Sequence, residues 1–236
     1  DGTELAAWYF AASESTHDYA VCLHGYTNEP IGMARYVKRF HDRGMNVLAP
    51  AARAHERSGG DYIGMGWPER LDIVAWIEQI VQADPEARIL VLGESMGAAT
   101  AMNVAGESLP ANVECIIEDC GYTSVWDEFS LQLKNVFGLP SFPLLDVANL
   151  VCNVRAGYDF HKASSVEQLK HATVPMLFIH GDQDTFVPYS MLDQNYDACA
   201  KVKQKLTIHG ATHAKSAQVD PELYWNTVDN FLDKNF

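Results

Sequence analysis

Five residues constrain this chain more than any others: Gly93-Glu94-Ser95-Met96-Gly97, in the pattern G-x-S-x-G. The apolar run Ile89-Leu90-Val91-Leu92 before them reads as a buried strand. Ala98-Ala99-Thr100-Ala101-Met102-Asn103-Val104-Ala105 after them reads as a helix. A strand that becomes a helix over so few residues needs a sharp, strained turn with the serine hydroxyl exposed at its tip. Side chains at 93 and 97 would collide with the neighbouring strand and helix, and glycine removes them. Small Ala98 and Ala99 let the helix lie close to the sheet. Taken alone, the same pentapeptide also describes a glycine turn with a capping serine. The rest of the chain has to decide between the two.

Apolar strand-like runs at 5–12, 18–23, 45–49, 88–92, 113–118, 174–180 and 204–209 alternate with helical stretches at 31–43, 68–82, 96–107, 125–137, 143–154, 189–200 and 221–234. This rhythm predicts an α/β fold with right-handed crossovers and a mainly parallel sheet. A chain of 236 residues can be a single domain of that class. In the second helix Leu71, Val74, Ile77 and Val81 form a core-facing stripe, and Pro68 suits its first turn. Residues 121–172 break the rhythm, with no convincing strand and with Tyr122, Trp126, Phe129, Phe137, Phe142, Tyr158 and Phe160 among them. They read as a small helical cap inserted between two strands. Its aromatics either seal it to the sheet or line a pocket.

A formal net charge of −14 argues against nucleic acid and anionic membrane surfaces as partners. No run approaches the roughly 18 apolar residues of a membrane span. Cys22, Cys115, Cys120, Cys152 and Cys199 make an odd set without C-x-x-C spacing. Unpaired thiols favour a reducing, cytoplasmic setting. The chain opens on Asp1-Gly2, a hairpin-turn dipeptide, with a strand-like run after it and none before. The expectation is a processed or trimmed form whose first strand, and any targeting segment, lie upstream.

A serine at such a turn needs a base, an orienting acid and donors for an oxyanion. In an open parallel sheet these collect beyond the carboxyl ends of strands. After the strand ending at His180 come Gly181-Asp182-Gln183-Asp184-Thr185-Phe186. Asp182 directly follows the strand and suits an Asx-type turn. Asp184 lies further out and is the candidate acid. After the strand ending at His209 comes Gly210-Ala211-Thr212-His213, and His213 is the candidate base, His209 being structural. The backbone N–H groups of Met96 and Tyr26 are the candidate oxyanion donors. His24 reads as a loop anchor.

With His24-Gly25, the pentapeptide, Asp184 and His213 in place, the chain resembles the α/β-hydrolase superfamily over essentially its whole length, save a missing first strand. Arg53-Ala54-His55 with Ser58-Gly59 looks like the R-x-H-G-x-S loop of these enzymes, with Glu56 where glycine is usual. Tyr62-Ile63-Gly64-Met65-Gly66-Trp67 and Glu118-Asp119-Cys120-Gly121-Tyr122-Thr123-Ser124-Val125-Trp126 resemble a group of cell-surface serine hydrolases of Gram-positive bacteria. That group is similar to prolyl-oligopeptidase-like and bile-acid-CoA acyltransferase-like hydrolases. Its members often carry an upstream hydrophobic anchor, which makes attachment at the cell surface the alternative to a cytoplasmic location. Some members of the superfamily place the triad acid after the strand that follows the nucleophile, so Asp119 stays open as an alternative to Asp184.

The expected fold is thus an α/β-hydrolase sheet flanked by helices, with a small helical cap. The expected activity is hydrolysis of small-molecule carboxylic esters with short to medium acyl groups through Ser95, His213 and Asp184. Trp67, Tyr122, Trp126 and Phe186 are candidates for the substrate wall. No zinc motif, Walker loop or G-x-G-x-x-G run calls for a cofactor. Peptidase or amidase activity is a second reading, though dedicated peptidases of the superfamily usually carry a large accessory domain. A binding module that kept the fold without the chemistry is a third.

Overall fold

A computed structural model describes residues 1–236. Seven strands form one sheet: β1 (Ala7–Phe10), β2 (Asp18–Leu23), β3 (Asn46–Pro50), β4 (Arg88–Glu94), β5 (Val113–Asp119), β6 (Met176–Gly181) and β7 (Lys203–Ile208), in the order β1-β3-β2-β4-β5-β6-β7. Only β1 runs antiparallel, against β3. Each strand coincides with an apolar run of the sequence. The runs are continuous because helices cover both faces. Leu90 and Leu92 point to one face and Ile89 and Val91 to the other.

On the first face α1 (Ala34–Asp42) and α9 (Pro221–Asn235) bury Tyr36, Phe40, Tyr224, Val228 and Phe231 against the sheet. On the second lie α2 (Glu69–Ala83), α3 (Met96–Ala105) and α7 (Ser190–Ala198). The stripe of α2 is rotated from the one expected. Ile73 and Ile77 are buried, Val74, Ile80 and Val81 pack at the edge, and Leu71 is half exposed. Ile73 lies two residues from Leu71, close to the opposite side of a 3.6-residue turn, so only one of them can face the sheet.

Between β5 and β6 the chain forms α4 (Val125–Phe137), α5 (Leu144–Ala156) and α6 (Ser165–Leu169), and no strand. It leaves and returns at one neck. Ser124 bridges Ser164, and the Val125 N–H donates to the Ala163 carbonyl at 2.9 Å. Tyr122, Tyr158 and Phe160 are buried with Met65 and Met96, whereas Phe137 and Phe142 face solvent. α6 and α8 (Ser216–Val219) have no counterpart among the helical stretches read from sequence, since five and four residues are too few to show a period. All five cysteines are free thiols, four of them buried. No helix is long and apolar enough to cross a membrane.

β2 is flanked by β3 on one side and β4 on the other, so successive crossovers diverge there. Such a switch point opens a crevice at the carboxyl ends of the diverging strands. The turns after β2 and β4 line it, and glycine makes the approach possible. A Cβ on Gly97 would lie 2.1 Å from the Leu23 carbonyl oxygen of β2, and one on Gly93 would lie 2.0 Å from the Gly97 carbonyl oxygen. Backbone cannot retreat as a side chain can. Gly97→Ala is therefore expected to cost about 3 kcal/mol or more, which for a chain of this size lowers Tm by roughly 6–12 °C. Gly44 has φ of 87° but open space around it, so Gly44→Ala should cost only about 1 kcal/mol through backbone strain. Thermal melts of the two variants check the difference.

Candidate active site

Ser95 sits at the tip of the turn between β4 and α3 with φ 58° and ψ −119°, outside the regions an L-residue prefers. Its N–H donates to the Asp119 carbonyl at 2.9 Å, which holds the turn to the next strand. The loop after β2 presses against it: a Cβ on Gly25 would lie 3.2 Å from Ser95 Cβ.

Two loops from the far side of the sheet meet this serine. Ser95 Oγ lies 2.8 Å from His213 Nε2, and His213 Nδ1 lies 2.7 Å from Asp184 Oδ2. Asp184 Oδ1 accepts the N–H groups of Phe186 and Val187, both at 2.9 Å. Burial works against ionising Asp184, but the hydrogen bonds and charge of His180 and His213 outweigh it and hold its pKa at about 2. The carboxylate is therefore charged at neutral pH. Its partner Nδ1 carries the imidazole hydrogen, which leaves Nε2 free to accept the Ser95 hydroxyl.

The loops carrying these residues are fastened together. The Gly181 Cα faces the Ala211 carbonyl so closely that a Cβ would come within 2.2 Å. The Gln183 N–H donates to that carbonyl at 3.0 Å. Asp182 forms no Asx-type turn: it reaches across to the next loop, accepting from the Gly210 N–H at 2.8 Å and pairing with His209 Nδ1 at 2.8 Å, while the Asp184 N–H donates to the Gly181 carbonyl. His209 is a surface partner of Asp182.

The alternative acid points elsewhere. The Asp119 carboxylate is fully buried on the α1 side, where Tyr36 OH donates to its Oδ2 at 3.3 Å. Burial raises its pKa. Near it, Glu94, the second residue of the pentapeptide, is buried in an ion pair with Arg35 and accepts from Tyr36 OH at 2.9 Å. Arg35 also reaches the Ala214 carbonyl, one residue past His213, at 3.5 Å. Arg35 thereby ties the serine turn to the histidine loop. No motif in the sequence marks it.

The Tyr26 N–H makes no hydrogen bond within the protein. It lies in the turn closed by the Asn28 N–H on the Gly25 carbonyl. The Met96 N–H opens α3, where a helix lacks internal partners for its donors. His24 anchors this loop. Its Nε2 accepts from the Ala52 N–H at 3.0 Å, and its Nδ1 donates to the Gly25 carbonyl at 2.9 Å. Both nitrogens are committed, and burial pushes its pKa down to about 4. Glu56 occupies a left-handed backbone position with φ of 47°. That explains why glycine suits it, and here its carboxylate accepts from Trp8 Nε1 instead.

Of the four aromatics expected at the substrate wall, Phe186 alone has its ring on His213, with centroids 4.8 Å apart. Tyr122 is buried and donates to the Met65 carbonyl at 2.9 Å, bracing the loop that carries Met65. Trp67 packs under the Arg70 guanidinium and Trp126 stacks on His161. Sequence reasoning did not find Glu128 of α4. It is buried and pushed up to about 7 chiefly by burial, and it feels the charges of His213 and Asp184. Its neighbour Gln132 joins it to the Phe186 carbonyl at 2.8 Å.

Comparison with known proteins agrees with this architecture. A family model described as serine aminopeptidase, S33, matches residues 15–136, more than half of the chain. The uncharacterized protein YqkD of Bacillus subtilis is 28% identical over 233 residues, 98% of this chain and 76% of the relative. The lysophosphatidylserine lipase ABHD12 of Danio rerio is 25% identical over 208 residues, 84% of this chain and 51% of the relative. The Pyrococcus furiosus esterase Pf2001 superposes with a TM-score of 0.78 at 25% identity, over 99% of this chain and 88% of the other. With its seven-stranded, mostly parallel sheet, the protein is an α/β-hydrolase and belongs to the serine aminopeptidase S33 family.

Proposed function

We propose that the protein is a serine esterase that hydrolyses small carboxylic esters with short to medium acyl groups. The observation that carries this reading is the unbroken chain Ser95 Oγ–His213 Nε2, His213 Nδ1–Asp184 Oδ2, at 2.8 and 2.7 Å. His213 takes the hydroxyl proton as Ser95 Oγ attacks the ester carbonyl. The negative oxygen that forms is held by the Met96 and Tyr26 N–H groups. The tetrahedral adduct collapses, its ester C–O bond breaks, and the proton on His213 passes to the departing alkoxide. Water then repeats the sequence on the acyl-serine, releasing the acid and restoring the hydroxyl. Asp184 keeps the His213 hydrogen on Nδ1 and stabilises the imidazolium.

α4 and α5 act as a cap in this reading. The apolar cluster of Met65, Met96, Tyr122, Tyr158 and Phe160 beneath them suits a modest acyl chain rather than a charged group. The similarity to an esterase and to a lysophosphatidylserine lipase supports ester chemistry. The aminopeptidase description of the family favours amide hydrolysis as the second reading.

A panel of p-nitrophenyl esters of graded chain length, run beside aminoacyl p-nitroanilides, tests the choice. Turnover should be greatest on the shorter esters, and preference for the anilides would overturn the esterase reading. Ser95→Ala should lower kcat/KM by about 10⁴ or more and abolish labelling by a fluorophosphonate. Retained activity in that variant would remove Ser95 from the mechanism. Asp184→Asn should lower kcat by about 10³–10⁴, while Asp119→Asn leaves the acid function in place. The reverse pattern would make Asp119 the acid.

Stability should respond to pH through Glu128. Its pKa rises from 4.5 to about 7 on folding. Between those values the unfolded chain has released the proton that the folded protein still holds. Stability therefore falls as pH climbs through this window and levels off above it. Glu118, raised to about 8 by burial, adds to the fall. Urea midpoints at pH 5 and pH 8 should show the decline, and Glu128→Gln should make it shallower.

A further inference from the structure

Asp184 has a second histidine behind it. His180 ends β6 and is fully buried. Its Nε2 lies 2.9 Å from the Val187 carbonyl oxygen and 3.3 Å from Asp184 Oδ2. A carbonyl oxygen only accepts, so Nε2 carries a hydrogen and gives it to Val187, with Asp184 Oδ2 close beside it. Asp184 Oδ2 is thus placed between two imidazoles, His213 on one side and His180 on the other. The carboxylate accepts N–H groups from His213, Phe186 and Val187, and the His180 N–H lies 3.3 Å from Oδ2.

The other edge of His180 plays no part in the steps above, yet its surroundings are polar. His180 Nδ1, Glu118 Oε1 and Asn195 Oδ1 are all buried without a hydrogen-bond partner. Glu118 Oε2 accepts the Gly121 N–H at 2.9 Å, and Asn195 Nδ2 donates to the Gly121 carbonyl at 3.2 Å. The pairing of β5 with β6 sets Glu118 opposite Phe178, so His180 lies two residues on and its side chain shares that face. Glu118 and His180 act on each other's ionisation. Burying polar atoms without partners is costly, so this edge of His180 is a polar pocket in an otherwise apolar layer.

We propose that His180 is a positioning residue for hydrolysis, fixing Asp184 Oδ2 from the side away from His213 and moderating its pull on the His213 Nδ1 hydrogen. The inference rests on the roles given above to Ser95, His213 and Asp184. The physical reason is competition. An oxygen that already accepts one N–H is a weaker acceptor for the next, so the imidazolium of His213 is stabilised less and gives up its proton more readily to the leaving group. Remove the His180 donor, and Asp184 holds that proton more tightly and its carboxylate is freer to turn.

The groups that face His180 are Asp184 from its loop, Glu118 and Asp119 from the end of β5, and the Tyr189 ring, 6.1 Å away between centroids. Glu128 faces the same carboxylate and His213 from α4. Burial pushes Glu118 up to about 8 and Glu128 up to about 7, and raises Asp119 as well.

The test has two arms. In the intact protein, nitrogen-15 NMR of labelled histidines should show His180 protonated at Nε2. A neutral His180 with its hydrogen on Nδ1 would overturn the proposal whatever the enzyme hydrolyses. In the kinetic arm, His180→Leu should lower kcat by about 10- to 100-fold, leave KM within about twofold, and move the acid limb of kcat/KM to higher pH. His180→Gln retains an N–H in nearly the same place and should recover part of both effects. Two folded variants with wild-type kcat and an unmoved limb would overturn the proposal. Equal losses in both, without a shifted limb, would make His180 merely structural and overturn it as well. If neither variant folds, the NMR result decides. The Ser95→Ala control separates these failures from failure of the esterase reading, because it tests the nucleophile without touching His180.

Discussion

Three stretches of backbone meet at the start of α3 with no room for a side chain between them. The Gly97 Cα sits against the Leu23 carbonyl of β2, the Gly93 Cα sits against the Gly97 carbonyl, and the Gly25 Cα sits against Ser95. This contact fixes how close α3 can lie to the sheet. It also forces the chain through φ 58° and ψ −119° at Ser95, a conformation that costs on the order of 1–3 kcal/mol. The cost is offset by the all-buried helix that follows and by the Ser95 N–H bond to Asp119. In return the hydroxyl is held on a rigid turn at the switch point between β2 and β4. A serine on an ordinary loop would lose its aim with each loop motion.

In the proposed reaction a fixed nucleophile is useful only if its base is fixed with the same precision, and His213 has no strand or helix of its own. It is located by three attachments instead. Asp182 and Gln183 fasten the loop after β6 to residues 210 and 211. Arg35 crosses from α1 to join Glu94 of the serine turn to the Ala214 carbonyl. The Phe186 ring lies on the imidazole. Two of these attachments come from the loop after β6 and one from α1. Geometry at His213 therefore depends on a neighbouring loop and on a helix from the opposite end of the chain.

This division explains what could be read in the sequence. The strands were legible because a parallel sheet covered on both faces needs unbroken apolar runs, and Ile89–Leu92 or Met176–Ile179 fit no other element so well. Ser95, Asp184 and His213 were legible because each follows such a run. Leu71 was misplaced because α2 carries apolar residues around much of its circumference, and periodicity alone does not choose among overlapping stripes. Arg35, Glu128 and His180 were not legible: Arg35 acts across 59 and 179 positions of sequence, and His180 acts on Val187 and Asp184 within seven positions but in no motif. For Arg35 it is Ala214 that gives the residue its purpose. His180 read simply as the end of a strand. A polar residue closing a buried apolar run was the available signal.

Many acids lie near one imidazole here, and their ionisation has to be managed. Asp119, Glu118 and Glu128 are all buried, and in each case burial is the largest influence and raises the pKa. Asp184 is subject to the same penalty and yet is driven down to about 2. The difference is the number of donors: three N–H groups bond Asp184 and the His180 N–H lies 3.3 Å away, whereas Glu118 and Glu128 each retain an oxygen with no partner. One acid beside His213 is thus kept strongly ionised while its buried neighbours resist ionisation. Hydrogen-bond supply, rather than the choice of aspartate over glutamate, decides which of these buried acids ionises.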